Sequence, residues 1–133
     1  MVVEFHIAGR PVAKERPRLG ARGVYTPART MHFERDVASA SLAAGGRKDE
    51  TYSGPVAICV DVTRPMPSSW PQWRKRNPGR CTVGADGDNI LKSICDGLQG
   101  VAYRNDAQAD YLCVTKDWGD AWGVTVKVEM DDG

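Results

Sequence analysis

The sequence has no apolar stretch near the roughly 20 residues that a membrane-spanning helix needs. Its first residues, Met1 to His6, show no positive stretch followed by an apolar block, so a secretory signal is not expected. Of the 133 residues, 41% are hydrophobic and 26% are charged, which is typical of a globular protein and not of a disordered tail. We therefore expect residues 1–133 to form one domain of ordinary size in the cytoplasm.

Metal-binding and nucleophilic motifs based on cysteine, histidine and serine are missing. No two cysteines have the short spacing of a zinc knuckle, and His6 and His32 stand far from any second ligand. There is no glycine-rich phosphate loop ending in Lys-Ser/Thr, no G-x-S-x-G elbow and no Cys/His pair with a local signature. In a reducing compartment all four cysteines are expected to be free thiols. They are Cys59, Cys81, Cys95 and Cys113.

The small net charge of +1 hides a strong segregation of charge along the chain. Residues 10–35 contain seven bases and two acids, and residues 64–80 contain five bases and no acid. Five aspartates lie within residues 86–110. Segregation of this kind suggests an anionic partner for the basic segments and a cation such as a metal ion for the acidic segment. Solvated loops whose charges cancel on average are the alternative interpretation.

Hydrophobic periodicity predicts the order strand, helix, strand, short helix, helix, strand, strand. Strands are predicted over 2–8, 56–62, 111–116 and 122–130, and helices over 30–44, about 68–76 and 86–98. The apolar run 56–62 is expected to be buried on both faces, and the last two strands to pair as an antiparallel hairpin. The predicted fold class is α+β, a single compact domain with a mixed sheet of about four strands and helices packed on it.

Two aspartates open the strongest helical segment, residues 86–98. Carboxylates at positions i and i+2 converge when the first lies in extended backbone and the second at the helix start. With Asp106 as a third oxygen donor, Asp86 and Asp88 suit a hard divalent cation such as Mg²⁺. Lys92, one turn beyond Asp88, can neutralise charge on a scissile phosphate or position a water. This pattern predicts a metal site capable of phosphodiester hydrolysis.

A structural interpretation of the same residues stays open. Asp86 can cap the helix, and Asp88 can complement the helix dipole. Asp88 and Lys92 can form an ordinary surface pair. On spacing by itself, these roles explain the two aspartates and the lysine without any metal.

Basic side chains in two segments are candidates for contacts with DNA. The first group surrounds Pro17, and the second adjoins Trp70 and Trp73. Bases contact phosphates, and interleaved aromatics stack on nucleobases or wedge into a duplex step. A tryptophan beside prolines also often pins a loop to the core, so this alternative remains. The candidate DNA-binding residues are Lys14, Arg16, Arg18, Arg74, Lys75 and Arg76.

Several short motifs occur in a fixed order along the chain. The pattern G-x-P-x-x-K-x-R-P-R occupies residues 9–18. The most specific motif, D-x-D-N-x-x-K-x-x-x-D-x-L, occupies residues 86–98, and a D-D-x-Q-like element follows at 105–108. Through this ordered set the chain resembles the RusA family of Holliday junction resolvases over nearly its whole length.

The resemblance implies a homodimeric, Mg²⁺-dependent endonuclease, with Mn²⁺ as a substitute. It implies binding to four-way DNA junctions and symmetric nicking of two opposed strands in recombination and DNA repair. By motif, the implied catalytic and metal-binding carboxylates are Asp86, Asp88 and Asp106. The implied basic catalytic residue beside them is Lys92. Two related sites in a dimer suit paired cuts on a two-fold junction. A nucleoid-associated location is expected, with a phage or prophage gene as one source.

Two departures from the family pattern bear on function. Asn105 precedes Asp106 where the family has two aspartates, so activity is expected to survive with altered hydrogen bonding around the site. Residues 81–85 replace a segment where the family often has Lys-Pro, which is expected to weaken a phosphate contact. The Asn105 departure also keeps open a non-catalytic junction-binding module. A nuclease for other branched DNA, such as flaps or replication forks, is the third hypothesis.

Overall fold

A computed structural model describes residues 1–46, 52–84 and 86–130 of the chain. Its strands are β1 (Val2–Ala8), β2 (Arg18–Gly20), β3 (Gly23–Tyr25), β4 (Val56–Pro65), β5 (Ala109–Gly119) and β6 (Gly123–Met130). Its helices are α1 (Ala28–Ala43), α2 (Gln72–Arg76) and α3 (Gly87–Leu98), with a single 3-10 turn at Asp106–Gln108. The predicted α+β class is confirmed, as is the mixed four-stranded sheet with helices packed on it.

The main sheet has the strand order β1-β6-β4-β5. β6 is antiparallel to both β1 and β4, whereas β4 and β5 run parallel. The predicted hairpin of the last two strands is therefore wrong, because β6 crosses over the end of β4 before it pairs. Crossing one strand spans about 10 Å, and the four steps from Gly119 to Gly123 reach about 13 Å. A short link thus permits this crossover as easily as it permits a hairpin.

The core lies on one face of the sheet, under α1 and α3. Alternate residues of the central strands β4 and β6 are valines or isoleucine and are almost fully buried. They are Val56, Ile58, Val60, Val62, Val124, Val126 and Val128. On the opposite face of β4, Asp61 is exposed and its neighbours are only half-buried. The predicted burial of β4 on both faces is therefore wrong, since the described helices cover one face and leave the other open.

The four cysteines are free thiols, as predicted. Cys81 and Cys95 are buried, and Cys59 and Cys113 are half-buried. Cys59 and Cys113 are register partners on the parallel strands β4 and β5, so they lie side by side on the sheet. The thiol of Cys95 lies on α3, where burial raises its pKa to about 11. Such a thiol stays protonated at neutral pH and serves packing.

A buried hydroxyl in α3 offers a simple gain in stability. Ser93 is fully buried, and its Oγ has no hydrogen-bond partner among the described residues. Ser93→Ala removes an unsatisfied polar atom and improves helix propensity, so we expect the free energy of unfolding to rise by about 1 kcal/mol in urea denaturation. Thr30→Val is the matched control, because the buried Thr30 hydroxyl donates to Glu15 at 3.2 Å. That control is expected to lower stability, and a loss in both variants would contradict the explanation.

Candidate functional site

The amphipathic helix α3 presents the predicted acidic motif to solvent. Ile90, Ile94 and Leu98 are buried against the sheet and α1, which turns the opposite side of the helix outward. Asp88 and Lys92 lie on that exposed side. Asp86 directly precedes the helix in extended backbone, with φ −60° and ψ 130°, as the spacing of the two aspartates requires. The helix thus begins with two exposed carboxylates close in sequence.

Asp88 lies in the first turn of α3, where its charge complements the helix dipole, but the other two structural roles considered for these residues are not observed. Asp86 makes no side-chain capping hydrogen bond; its backbone carbonyl instead accepts from Asn89 and Ile90 at 3.2 Å each. Among the ion pairs formed by the described residues, none joins Asp88 to Lys92. The two carboxylates and the ammonium are therefore available to a ligand.

Asp106 lies toward the other end of α3. It is the first residue of the 3-10 turn and is exposed. Its charge is close enough to raise the pKa values of the buried Cys95 and Tyr103, after the larger effect of burial. Tyr103 donates to the Cys95 carbonyl at 2.7 Å, so both groups sit at the carboxyl-terminal half of α3. Cys95 follows Asp88 by seven residues, which is about 10 Å along a helix axis.

Asp86, Asp88 and Asp106 are not grouped as a metal site among the described residues, and their metal-binding role stays a prediction. Asp86 and Asp88 lie two residues apart at the start of α3, whereas the charge of Asp106 acts on Cys95 and Tyr103 at its carboxyl-terminal half. Across residues 1–46, 52–84 and 86–130, no three His, Cys, Asp or Glu side chains are grouped closely enough to hold a metal ion. Ala85, directly before the motif, lies outside the described residues.

The departure at Asn105 has a clear local role. The Asn105 side chain accepts from the Ala107 amide at 2.9 Å, and the Gln108 side chain accepts from the Asn105 amide at 2.7 Å. This reciprocal capping box fixes the 3-10 turn that carries Asp106. Gln108 also donates to the carbonyls of Tyr52 and Gly54, both at 2.9 Å. Asparagine is a good cap, so replacing the family aspartate leaves the turn intact.

Lys14 has a structural role in addition to its predicted one. Its Nζ lies 2.8 Å from both Glu34 Oε1 on α1 and Asp96 Oδ2 on α3. Its amide donates to the Asn89 carbonyl at 2.9 Å. Burial lowers the pKa of Lys14, but its hydrogen bonds to Asp96 and Glu34 raise it by more. These contacts attach the loop that carries Lys14 to both α1 and α3. No spacing in the sequence predicted them.

Removing the Lys14 ammonium is expected to destabilise the protein. Lys14→Met leaves Glu34 and Asp96 facing each other without a cation, at a cost of about 1–2 kcal/mol in the free energy of unfolding. Because the pKa of Lys14 is raised, its contribution is present at neutral pH and is lost as the pH rises through the raised value. Urea denaturation checks this, with the exposed Arg16→Met as control. Equal stability of the two variants would contradict the ion-pair role.

The other bases of the first segment are exposed. Arg16 lies on the surface, and Arg18 contacts Glu15 at 3.5 Å with 64% of its side chain exposed. Arg18 begins the hairpin of β2 and β3, which the predicted strands do not include. Its apolar pair, Leu19 and Val24, is 82% and 73% exposed. The hairpin therefore projects from the surface.

The tryptophans of the second basic segment divide between the two predicted roles. Trp70 packs edge-on against Trp118 with ring centroids 4.8 Å apart, so it anchors its loop. Arg74 stacks over Trp70 at 4.1 Å. Trp73 is 69% exposed and is free to stack on a base. Beside them on α2, Arg76 is exposed, and Lys75 reaches the Ser68 carbonyl at 3.5 Å.

Comparison with known proteins decides the family. Residues 8–129 match the family described as Endodeoxyribonuclease RusA. The chain belongs to the RusA family. A protein of Bacillus subtilis (strain 168), described as "Uncharacterized protein YqaN", is similar to this RusA-family chain. The two are 33% identical over 137 residues, which cover 95% of this chain and 94% of the relative.

Membership in the RusA family confirms the resemblance drawn from the motifs and supports an endodeoxyribonuclease activity for this chain. The match includes both basic segments, the whole of α3 and the turn at Asp106. No described helix of this RusA-family protein is long and apolar enough to cross a membrane.

Proposed function

We propose that this RusA-family protein is a Mg²⁺-dependent endonuclease that resolves four-way DNA junctions. It acts as a homodimer and makes paired symmetric nicks in recombination and DNA repair. The observation that carries the proposal is the family match over residues 8–129, within which the acidic motif lies exposed at the start of α3.

Asp86, Asp88 and Lys92 are the proposed catalytic group. Their exposure leaves them open to a polyanion, and their carboxylate oxygens are the donors that Mg²⁺ prefers. Asp106 is proposed as the third carboxylate. For it to meet the other two, the segment between α3 and β5 has to move, or a second copy has to supply the missing ligand. Mn²⁺ is proposed to substitute, since it accepts the same oxygen donors.

Exposed arginines near Pro17 and on α2 are the proposed DNA contacts. Arg16 and Arg18 flank the projecting hairpin, and Arg74 and Arg76 lie beside the exposed ring of Trp73. Arginines bind phosphates through paired hydrogen bonds, and an exposed indole stacks on an unpaired base. Lys75 is proposed to add charge to the same surface. Lys14 stays a proposed DNA contact, with its ammonium engaged by two carboxylates.

The double variant Arg74→Ala, Arg76→Ala is expected to weaken junction binding about tenfold and to lower the salt slope of the affinity by about 1–2. Fluorescence anisotropy over a range of KCl concentrations measures both quantities. Thermal melting controls for the loss of the stack between Arg74 and Trp70. An unchanged salt slope in a folded variant would show that these arginines do not contact phosphates.

Cleavage of synthetic DNA tests the proposed activity. The purified protein is incubated with a four-way junction, a flap, a fork and a linear duplex at fixed salt, with Mg²⁺ or Mn²⁺. Preferred, symmetric nicking of the four-way junction is the expected result. If the protein prefers flaps or forks, the proposed substrate changes to another branched DNA. If it cleaves no DNA with either metal, the proposed nuclease activity is rejected.

A non-catalytic junction-binding module is the second candidate. It is favoured by the lack of a group of three metal ligands among the described residues and by Asn105 in place of the family aspartate. Tight junction binding that is indifferent to divalent metal, without turnover, distinguishes this module from the nuclease.

A further inference from the structure

A small cavity beside the start of α3 is lined by three basic side chains. Arg10 enters it from the loop after β1, Arg64 from β4 and Lys116 from β5, around the ring of Trp122. Val83, Gly84 and Ile90 close the side toward α3. Among the described residues that line this Trp122 cavity, none is acidic. A cavity with three bases and no carboxylate has the electrostatic character of an anion site.

The two guanidinium groups are held in place without being neutralised. The Cζ atoms of Arg10 and Arg64 each stand 5.1 Å from the centroid of the Trp122 ring. Arg64 also packs on the backbone of Gly84, where an added Cβ would overlap its Nη1. No ion pair of either arginine occurs within the described ranges. Stacking on an indole orients a guanidinium but leaves its N–H donors free for an anion.

Lys116 adds a third positive charge at the same place. Its Nζ donates to the Val83 carbonyl at 3.3 Å, which holds the ammonium at the loop that leads into α3. Gly84, on the same loop, precedes Asp86 by two residues. The Trp122 cavity therefore adjoins the exposed carboxylates of the acidic motif.

We propose that the Trp122 cavity binds one backbone phosphate of the DNA substrate. Arg10 and Arg64 donate hydrogen bonds to its non-bridging oxygens, and Lys116 adds electrostatic attraction. The volume of about 20 Å³ admits one water-sized group, so an oxygen of a phosphodiester fits and a nucleobase does not. This inference rests on the proposed DNA substrate and adds positioning residues to the six candidate DNA-binding residues named from the sequence. A phosphate held here fixes the strand next to Asp86 and Asp88.

Junction binding as a function of salt tests the cavity. The double variant Arg10→Gln, Arg64→Gln is compared with the wild type and with Arg35→Gln, an exposed arginine of α1. The double variant is expected to bind about tenfold more weakly or worse, with a salt slope lower by about 1–2, while Arg35→Gln stays close to wild type. Arg64→Lys should retain most of the slope. If the folded double variant keeps the wild-type affinity and slope, the arginines serve only to pack Trp122 and the inference is overturned.

A second measurement separates the cavity from the proposed function. The indole N–H signal of Trp122, identified by its loss in Trp122→Phe, is followed by NMR during titration of the wild type with inorganic phosphate, against chloride at equal ionic strength. A saturable shift that is absent in Arg64→Gln supports the cavity even if the protein binds no junction. The absence of a shift together with unchanged junction binding in the arginine variants rejects the cavity and leaves the nuclease proposal standing. The absence of both a shift and junction binding by the wild type rejects both.

Discussion

Asp88→Asn is expected to lower the rate of four-way junction cleavage at least about 100-fold while leaving junction affinity within about threefold. Asparagine keeps the shape of the side chain but removes the negative charge, and loss of one catalytic group commonly costs 10²–10⁴ in rate, as an order of magnitude. Asp88 is exposed and forms no ion pair with Lys92, so the fold should not depend on its charge. Single-turnover cleavage on denaturing gels, with saturating protein, measures the chemical step.

Asp36→Asn is the matched control for the Asp88 variant. Asp36 is also an exposed aspartate of a helix, but it lies on α1 and belongs to none of the motifs. The Asp36→Asn variant should cleave like the wild type. Any loss of cleavage in Asp88→Asn then results from the position of Asp88 and not from the change of net charge. Equal cleavage by the wild type and Asp88→Asn would remove Asp88 from the catalytic group.

Gly97→Val is expected to destabilise the protein by about 3 kcal/mol or more. Helices α1 and α3 are in close contact at Gly97, where an added Cβ would lie 2.8 Å from the Glu34 carbonyl oxygen and 3.0 Å from Val37 Cβ. Both neighbours belong to the rigid α1, and Val37 is fully buried, so neither can move away cheaply. Gly97→Ala should lose less stability than Gly97→Val, because alanine regains up to about 1 kcal/mol of helix propensity. Urea denaturation gives the free energies of unfolding.

Gly87→Ala, in the same helix, controls for the effect of replacing a helical glycine. A Cβ at Gly87 meets only the Val114 side chain, at 3.3 Å, and a valine side chain can shift by a few tenths of an ångström. This variant should be near neutral. A Gly97→Ala variant as stable as Gly87→Ala would mean that α1 and α3 separate more easily than their close contact indicates.

Strict periodicity explains which elements the sequence predicted well. β1 and β6 alternate apolar and polar residues, and α3 has a clear apolar side, so each lies within a residue or two of its predicted bounds. The hairpin of β2 and β3 was not predicted, because Leu19 and Val24 are exposed and show no burial pattern. The predicted pairing of the last two strands is wrong because β6, with the most regular row of buried valines, takes a central position in the sheet. β5 lies at the edge, with Tyr111 and Leu112 exposed.

The order of residues by itself determined the family, the α+β class and the exposed aspartates at the start of α3, because motifs and amphipathic periods are local properties of a chain. Only the tertiary structure decided which distant groups meet. It joined Lys14 to Glu34 and Asp96, brought the charge of Asp106 near Cys95 and gathered Arg10, Arg64 and Lys116 around Trp122. These contacts follow from the crossing of strands and the packing of helices, which bring together residues that no spacing along the chain relates.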